Sequence, residues 1–249
     1  MRRALASIAV VALAAAGCGG GDGKPTIKVS AASSLKSAFE SYARDFTAAK
    51  VSYSFAGSDE LAAQIRQGVK PDDYAAANTK LPDGLYTKGL VEKPVQFATN
   101  RLVIAVPKGS TSVKSIGDLA KPGVDIAAGS PTVPIGAYTR TVLARLPAGE
   151  RDAIERNIKS NEPDVAGIVG KVAEGAVDAG FVYVTDVQAA GGKLTGVHIA
   201  DALQPTVVYG AAVVNAAASP SEAKQFIDGL LSGSGRQALL QAGFGPPPK

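Results

Sequence analysis

Two rhythms of apolar and polar positions succeed one another along this chain. Thr26 to Ser30 alternates with period two and runs through Val29-Ser30-Ala31-Ala32-Ser33-Ser34-Leu35 into a helical period, with Leu35, Ala38, Phe39, Tyr42, Ala43 and Phe46 on one face as far as Ala49-Lys50. The same succession returns at once. Val51-Ser52-Tyr53-Ser54-Phe55 alternates as a half-buried strand, Ala56-Gly57-Ser58 follows, and Leu61, Ala62, Ile65 and Val69 mark a second helix. Ser33 or Ser34 in the first unit, and Ser58 in the second, stand where helix N-caps are expected, and Asp59 and Glu60 suit the positive end of the second helix.

The alternation of strands and helices continues to the C-terminus. Pro71 to Ala77 reads as a short buried strand, followed by a helical or irregular stretch through Leu85 and Leu90. Phe97-Ala98-Thr99-Asn100-Arg101 leads into Leu102 to Pro107, a continuous apolar run of the kind found in strands covered on both faces. A helical turn at Ser115 to Leu119 and a strand at Val124 to Ala128 precede the loop Gly129-Ser130-Pro131-Thr132-Val133-Pro134. From Ile135 a helix presents Tyr138, Val142, Leu143 and Leu146, and a short helix is expected over Ala153 to Ile158. Asn161-Glu162-Pro163-Asp164 opens another, with Asp164 as cap and Val165, Ile168, Val169, Val172, Ala173 and Ala176 on its inner face. Strands at Ala179 to Val184, Val197 to Ala200 and Thr206 to Val214, a helical turn at Asp186 to Ala190, and helices from Ser219-Pro220 and over Arg236 to Gln241 complete the pattern. Such alternation predicts an α/β fold of parallel sheets flanked by helices.

Composition narrows the setting. At 249 residues, 46% of them hydrophobic, the chain can bury one large core or two modest ones. The formal charge of +4 includes Arg2 and Arg3, and no basic stripe or basic–aromatic patch appears, which argues against nucleic acid as a partner. Arg2-Arg3 followed by the apolar run Ala4 to Ala16 reads as a secretory leader too short to span a bilayer. It ends in Leu13-Ala14-Ala15-Ala16-Gly17-Cys18, which resembles a bacterial lipobox, with alanine at Ala15 where leucine is usual. In that reading Cys18 is lipidated and residues 19–24, rich in glycine, form a flexible tether. The alternative is an ordinary cleaved leader with an incidental cysteine. Cys18 is the sole cysteine, so neither an intramolecular disulfide nor a cysteine metal site is available, and an anchored, extracytoplasmic domain is expected.

Enzyme signatures are missing. His198 is the only histidine and lies in a short strand, far in sequence from any nucleophile candidate. No G-x-S-x-G elbow or phosphate-binding G-x-x-x-x-G-K-[ST] loop occurs, and the carboxylates are scattered. Gly233-Ser234-Gly235-Arg236-Gln237-Ala238 has the form G-x-G-x-x-A but follows a helix, so it reads as an inter-helix turn. What recurs instead is a helix start carrying small or neutral residues, at Ser34, Ser58, Ile135 and Val165. Backbone N–H groups and hydroxyls there could hold an oxyanion without a counter-charge, provided the four starts converge; otherwise each is an ordinary cap.

In its sequence of motifs the chain resembles the molybdate-binding proteins that feed an ABC importer, within the type II periplasmic solute-binding proteins. The likeness runs from Ile27 to Phe244 and rests on Ala32-Ser33-Ser34-Leu35, Phe55-Ala56-Gly57-Ser58, Pro71-Asp72-Asp73-Tyr74, Val133-Pro134-Ile135-Gly136, Asp164-Val165 and Gly180-Phe181-Val182-Tyr183, in that order. The resemblance implies two Rossmann-like α/β lobes with mixed β-sheets, joined by crossover strands, with the ligand in the cleft between them. It divides the chain into residues 25–102 with 206–249 as lobe 1 and 103–205 as lobe 2. Carried over residue by residue, it makes Ser34 and Ser58 donors through hydroxyl and N–H, Ile135 and Val165 donors through N–H, and Tyr183 a donor through its phenol. They would hold molybdate, or tungstate, by hydrogen bonds to its oxygens, with no direct ligation of the metal and no further cofactor. Ile135 stands where the family usually has alanine, Ser33 where alanine is frequent, and Asp59 and Glu60 where small polar residues are common. The partners implied are an ABC permease and, through lipidated Cys18, the membrane surface, with the chain a monomer. The competing readings are capture of sulfate or phosphate, the latter with Asp59 as acceptor for a protonated anion, and an enzyme or sensor on the same scaffold.

Overall fold

Each strand-to-helix unit read from the sequence adds one strand to one of two five-stranded sheets. In the computed structural model the described residues are 23–248; the expected leader 1–18 with Cys18, and tether residues 19–22, lie outside the described residues. The first lobe opens with β1 (Thr26–Ala32), a 3-10 turn (Ser33–Leu35), α1 (Lys36–Asp45), β2 (Lys50–Ala56), α2 (Ser58–Arg66), β3 (Asp73–Ala76), α3 (Lys80–Tyr86) and β4 (Val95–Asn100). The chain then crosses to the second lobe for β5 (Leu102–Pro107), β6 (Ile126–Gly129), α4 (Pro134–Leu143), α5 (Ala148–Asn157), β7 (Ile158–Glu162), α6 (Val165–Ala173), β8 (Ala179–Tyr183), α7 (Val184–Ala189) and β9 (Leu194–His198). It returns to the first lobe for β10 (Val207–Val213), α8 (Pro220–Leu231) and α9 (Ser234–Gln241).

The sheet orders are β2-β1-β3-β10-β4 and β7-β6-β8-β5-β9. Both sheets are mixed, as the resemblance implies and as strand–helix alternation alone does not reveal. The local units pair in parallel, β1 with β2 and β3, and β6 with β7 and β8. By contrast β10 runs antiparallel to β3 and β4, and β5 antiparallel to β8 and β9. A strand arriving from the other lobe enters its sheet from the opposite end, so each crossover inserts an antiparallel strand. Both sheets are therefore mixed. Leu102, assigned above to lobe 1, begins β5 and pairs with Tyr183 in the second sheet, because the chain has already crossed at Arg101.

The crossovers are tied together by Gln204. Its amide accepts from Leu102 N–H at 3.0 Å and donates to Leu102 C=O at 2.8 Å and Ile199 C=O at 3.1 Å. One side chain thus ties the outgoing strand to the returning segment.

Several elements differ from the sequence reading for identifiable reasons. α1 stops at Asp45, because Phe46 turns to extended geometry and packs edge-on against Tyr42 and Phe226. The polar stretch Ile158–Glu162 is a strand, β7, at the edge of the second sheet, where alternate residues stay exposed. The segment Val95–Asn100, read as a lead-in, is β4 at the edge of the first sheet.

Candidate functional site

All four helix starts point at one place. Ala32 to Ser34, Ala56 to Ser58 and Ala77 from the first lobe, with Val133 to Ile135, Asp164, Val165 and Tyr183 from the second, line a small cavity of about 20 Å³. Ser34, Ser58, Ile135, Val165 and Tyr183 are thus brought together, and every one of them is buried.

Each lining helix start owes its free donors to local sequence. The first N–H groups of a helix have no partner within it. Ser58 and Val165 are the first residues of α2 and α6, and Ile135 follows Pro134, which has no N–H, so it carries the first donor of α4. Of the expected caps, Asp164 is one: its carboxylate accepts from Gly167 N–H at 3.0 Å. Ser34 and Ser58 are not. The cap positions are Ala32 and Gly57, and neither serine makes a capping bond, so their hydroxyls remain available to the cavity rather than closing back on their own helices. Gly57 is required there by the opposite lobe, because a Cβ on it would lie 2.5 Å from Pro163 O.

Ser58 Oγ accepts from Ala77 N–H at 3.1 Å, which leaves its hydrogen to point elsewhere, and Tyr74 donates to Ser58 C=O at 2.7 Å to hold the start of α2. Ser34 Oγ lies 3.0 Å from Tyr209 Oη. Tyr183 Oη is fully buried and has no hydrogen-bond partner among the described residues. Burial, with the nearby hydroxyl of Tyr209 and the charge of Asp186 adding to it, pushes the Tyr183 phenol well above its usual range, so it is a neutral donor. An unsatisfied buried hydroxyl costs about 1–3 kcal/mol, which an acceptor inside the cavity would recover.

Of the carboxylates near the site, only Asp164 lines the cavity. Glu60 is exposed and accepts from Gln64 at 3.2 Å, and Asp59 is absent from the lining. Asp164 lines the cavity but spends a carboxylate oxygen on Gly167 N–H. Asp186, which accepts from Tyr183 N–H at 2.8 Å, lies instead on a wider groove of about 580 Å³ beside the cavity. That groove mixes Lys36, Arg44 and Glu40 with alanines, so it presents no single charge to a ligand. Burial pushes Asp186 up to about 7 against the lowering bond from Tyr183 N–H. Ser33, the other cap candidate, lines both the cavity and the groove. His198 stands on β9 with its side chain 70% exposed and takes no part in the cavity.

Two polar residues behind the cavity escaped the sequence reading. Tyr209, on β10, holds Ser34, and Asn100, at the end of β4, reaches Tyr209. Tyr209 lies in an apolar run and Asn100 between two others, so no motif or spacing marks either one.

Comparison with known proteins bears on this arrangement. The sequence profile of the bacterial extracellular solute-binding proteins matches residues 27–245. A Mycobacterium tuberculosis protein named molybdate-binding protein ModA is 36% identical over 231 residues, covering 90% of this chain and 86% of its own. A Bacillus subtilis protein, named a putative ABC transporter substrate-binding lipoprotein, YvgL, is 31% identical over 89% of this chain and 86% of its own. Among solved structures, the periplasmic molybdate-binding protein of Azotobacter vinelandii superposes with a TM-score of 0.81 at 24% identity, covering 89% of this chain and 100% of that one.

Proposed function

The chain belongs to the bacterial extracellular solute-binding proteins, a family of carriers rather than enzymes, and from that membership we propose that it captures molybdate between its lobes. Tungstate, nearly equal in size and charge, is bound by the same donors in this reading. The loaded protein hands its cargo to an ABC permease, and lipidated Cys18 keeps it at the membrane.

The observation that carries the reading is the convergence of donors from both lobes on one cavity, with the Tyr183 phenol buried and unpaired among them. A doubly charged oxyanion there meets helix N-termini, which carry roughly half a positive charge each, and at Ser58 a hydroxyl whose oxygen already accepts from Ala77 N–H. The names of the relatives favour molybdate over other tetrahedral oxyanions. Hydrogen phosphate needs an acceptor for its proton; Asp59 lies outside the lining, and Asp164, the carboxylate within it, caps its own helix through Gly167 N–H.

Titration calorimetry tests the proposal. The protein is expected to bind molybdate and tungstate with similar affinity. Sulfate, too small to span the same donors, should bind at least about tenfold more weakly, equivalent to about 1.4 kcal/mol. Ser58→Ala should weaken molybdate binding by roughly 1–3 kcal/mol, the loss of one charge-assisted donor. Equal affinity for sulfate and molybdate would defeat the argument from size, and an unaltered affinity in folded Ser58→Ala would remove Ser58 from the site.

A further inference from the structure

Tyr209 stands behind the cavity wall, fully buried, with its ring fixed on three sides. Phe97, Tyr183 and Phe244 meet it edge-on at centroid distances of 6.0, 6.0 and 5.3 Å. Its hydroxyl therefore has little freedom, and two side chains reach it: Ser34 Oγ at 3.0 Å and Asn100 Nδ2 at 3.4 Å.

Asn100 sets the direction of one of these bonds and biases the other. Its Oδ1 accepts from Arg101 N–H at 2.9 Å, which turns Nδ2 towards Thr185 Oγ1 at 2.9 Å and towards the phenol. An amide nitrogen only donates, so the phenol oxygen is the acceptor there. Either hydroxyl of the Ser34–Tyr209 pair can donate; with Asn100 already taking one acceptor position of the phenol, a Tyr209 hydrogen given to Ser34 Oγ leaves the hydrogen of Ser34 for the cavity. With the opposite polarity Ser34 would donate to Tyr209 and turn a lone pair towards whatever the cavity holds.

We propose that Tyr209, oriented by Asn100, is a positioning residue that fixes the Ser34 hydroxyl as a donor into the cavity. The relay rests on the oxyanion reading above and adds the means by which one donor is set before the ligand arrives. Ser34 is held not by its own helix but by a residue at the crossover, where Asn100 of the first lobe meets Thr185 of the second. Preset hydroxyls need no reorganisation on binding, and a hydroxyl fixed as a donor offers a protonated anion nowhere to place its proton.

A double-mutant cycle read by molybdate calorimetry tests the relay, because residues acting through one another give non-additive losses. Tyr209→Phe keeps the ring and removes only the hydroxyl. It is expected to weaken molybdate about tenfold in the unaltered protein but by less than about twofold when Ser34→Ala is already present. The preference for molybdate over hydrogen phosphate should narrow in Tyr209→Phe alone. Thermal melting without ligand checks that each variant folds; if Tyr209→Phe does not, Asn100→Ala is carried through the same cycle with the same expectation. Equal losses with and without Ser34 would overturn the relay while leaving the oxyanion reading intact. Failure of the unaltered protein to bind molybdate would overturn that reading, and the relay with it.

Discussion

Asp73 is the residue least at home in its surroundings. It occupies β3 between Val29 and Val213, is almost wholly buried, and neither carboxylate oxygen has a hydrogen-bond partner among the described residues. Burial, with smaller contributions from the charges of Asp72 and Glu92, raises it well above the normal carboxylate range. Asp186 is raised to about 7 by the same dominant cause. An acid whose folded pKa is raised holds its proton more tightly in the folded chain than in the unfolded one. The stability tied to these two groups is therefore complete below about pH 4 and declines as the pH climbs to about 7 and beyond. Urea unfolding at pH 5 and pH 8 should show the protein less stable at pH 8. Asp73→Val, which fits the strand and removes the buried acid, should recover roughly 1–3 kcal/mol at pH 8 and less at pH 5. A gain of the same size at both pH values would mean that Asp73 is not titrating. At this scale the sequence was partly legible. The five expected positions, all of them in the cavity lining, were assigned through the family resemblance, whereas Tyr209, Asn100 and the orphaned state of Asp73 depend on contacts between residues far apart in the chain, which no local pattern encodes.

At the scale of elements, the helix starts matter more than the helices. Reading Ser33 or Ser34 and Ser58 as caps located the right turns, but the cap positions are Ala32 and Gly57. Gly57 is the cap of α2, and its Cα lies close beneath Pro163 O, between β7 and α6 of the other lobe. Its φ of −60° is ordinary for any residue, so the glycine is not needed for backbone conformation. It is needed for the approach of the lobes. Gly57→Ala should accordingly leave the melting temperature of the free protein within a few degrees of the original, yet weaken molybdate by about tenfold or more, since the added methyl holds the two helix starts apart. An unchanged affinity would show that the lobes do not need this contact to bind. The elements hardest to read were the edge strands β4 and β7. Edge strands bury only part of their length, so their composition approaches that of loops.

For the molecule as a whole, the decisive feature is that neither lobe owns a complete site. Ser34 and Ser58 come from helix starts of one lobe, and Ile135, Val165 and the β8 residue Tyr183 from the other, while Gln204 binds the two crossovers that connect them. Alternation of strands and helices implied an α/β protein, but the division into two lobes came only through resemblance. The crossovers at Arg101 and near Gln204 carry no punctuation that separates them from ordinary loops, and the antiparallel strands they insert read like any other apolar run. If the anion is held by both sets of donors, as proposed, it stabilises only the closed arrangement, and binding and closure become one event. Small-angle scattering should show the radius of gyration falling when molybdate is added, with sulfate at the same concentration producing a smaller fall. The melting temperature should rise with ligand concentration. At about a thousand times Kd the stabilisation is about 4 kcal/mol, or roughly 10 °C for a chain of this size. Gly57→Ala serves as the internal control, because it should blunt the scattering change and the thermal shift together. A full thermal shift without any compaction would place the anion in one lobe alone, and the shared site would then be wrong.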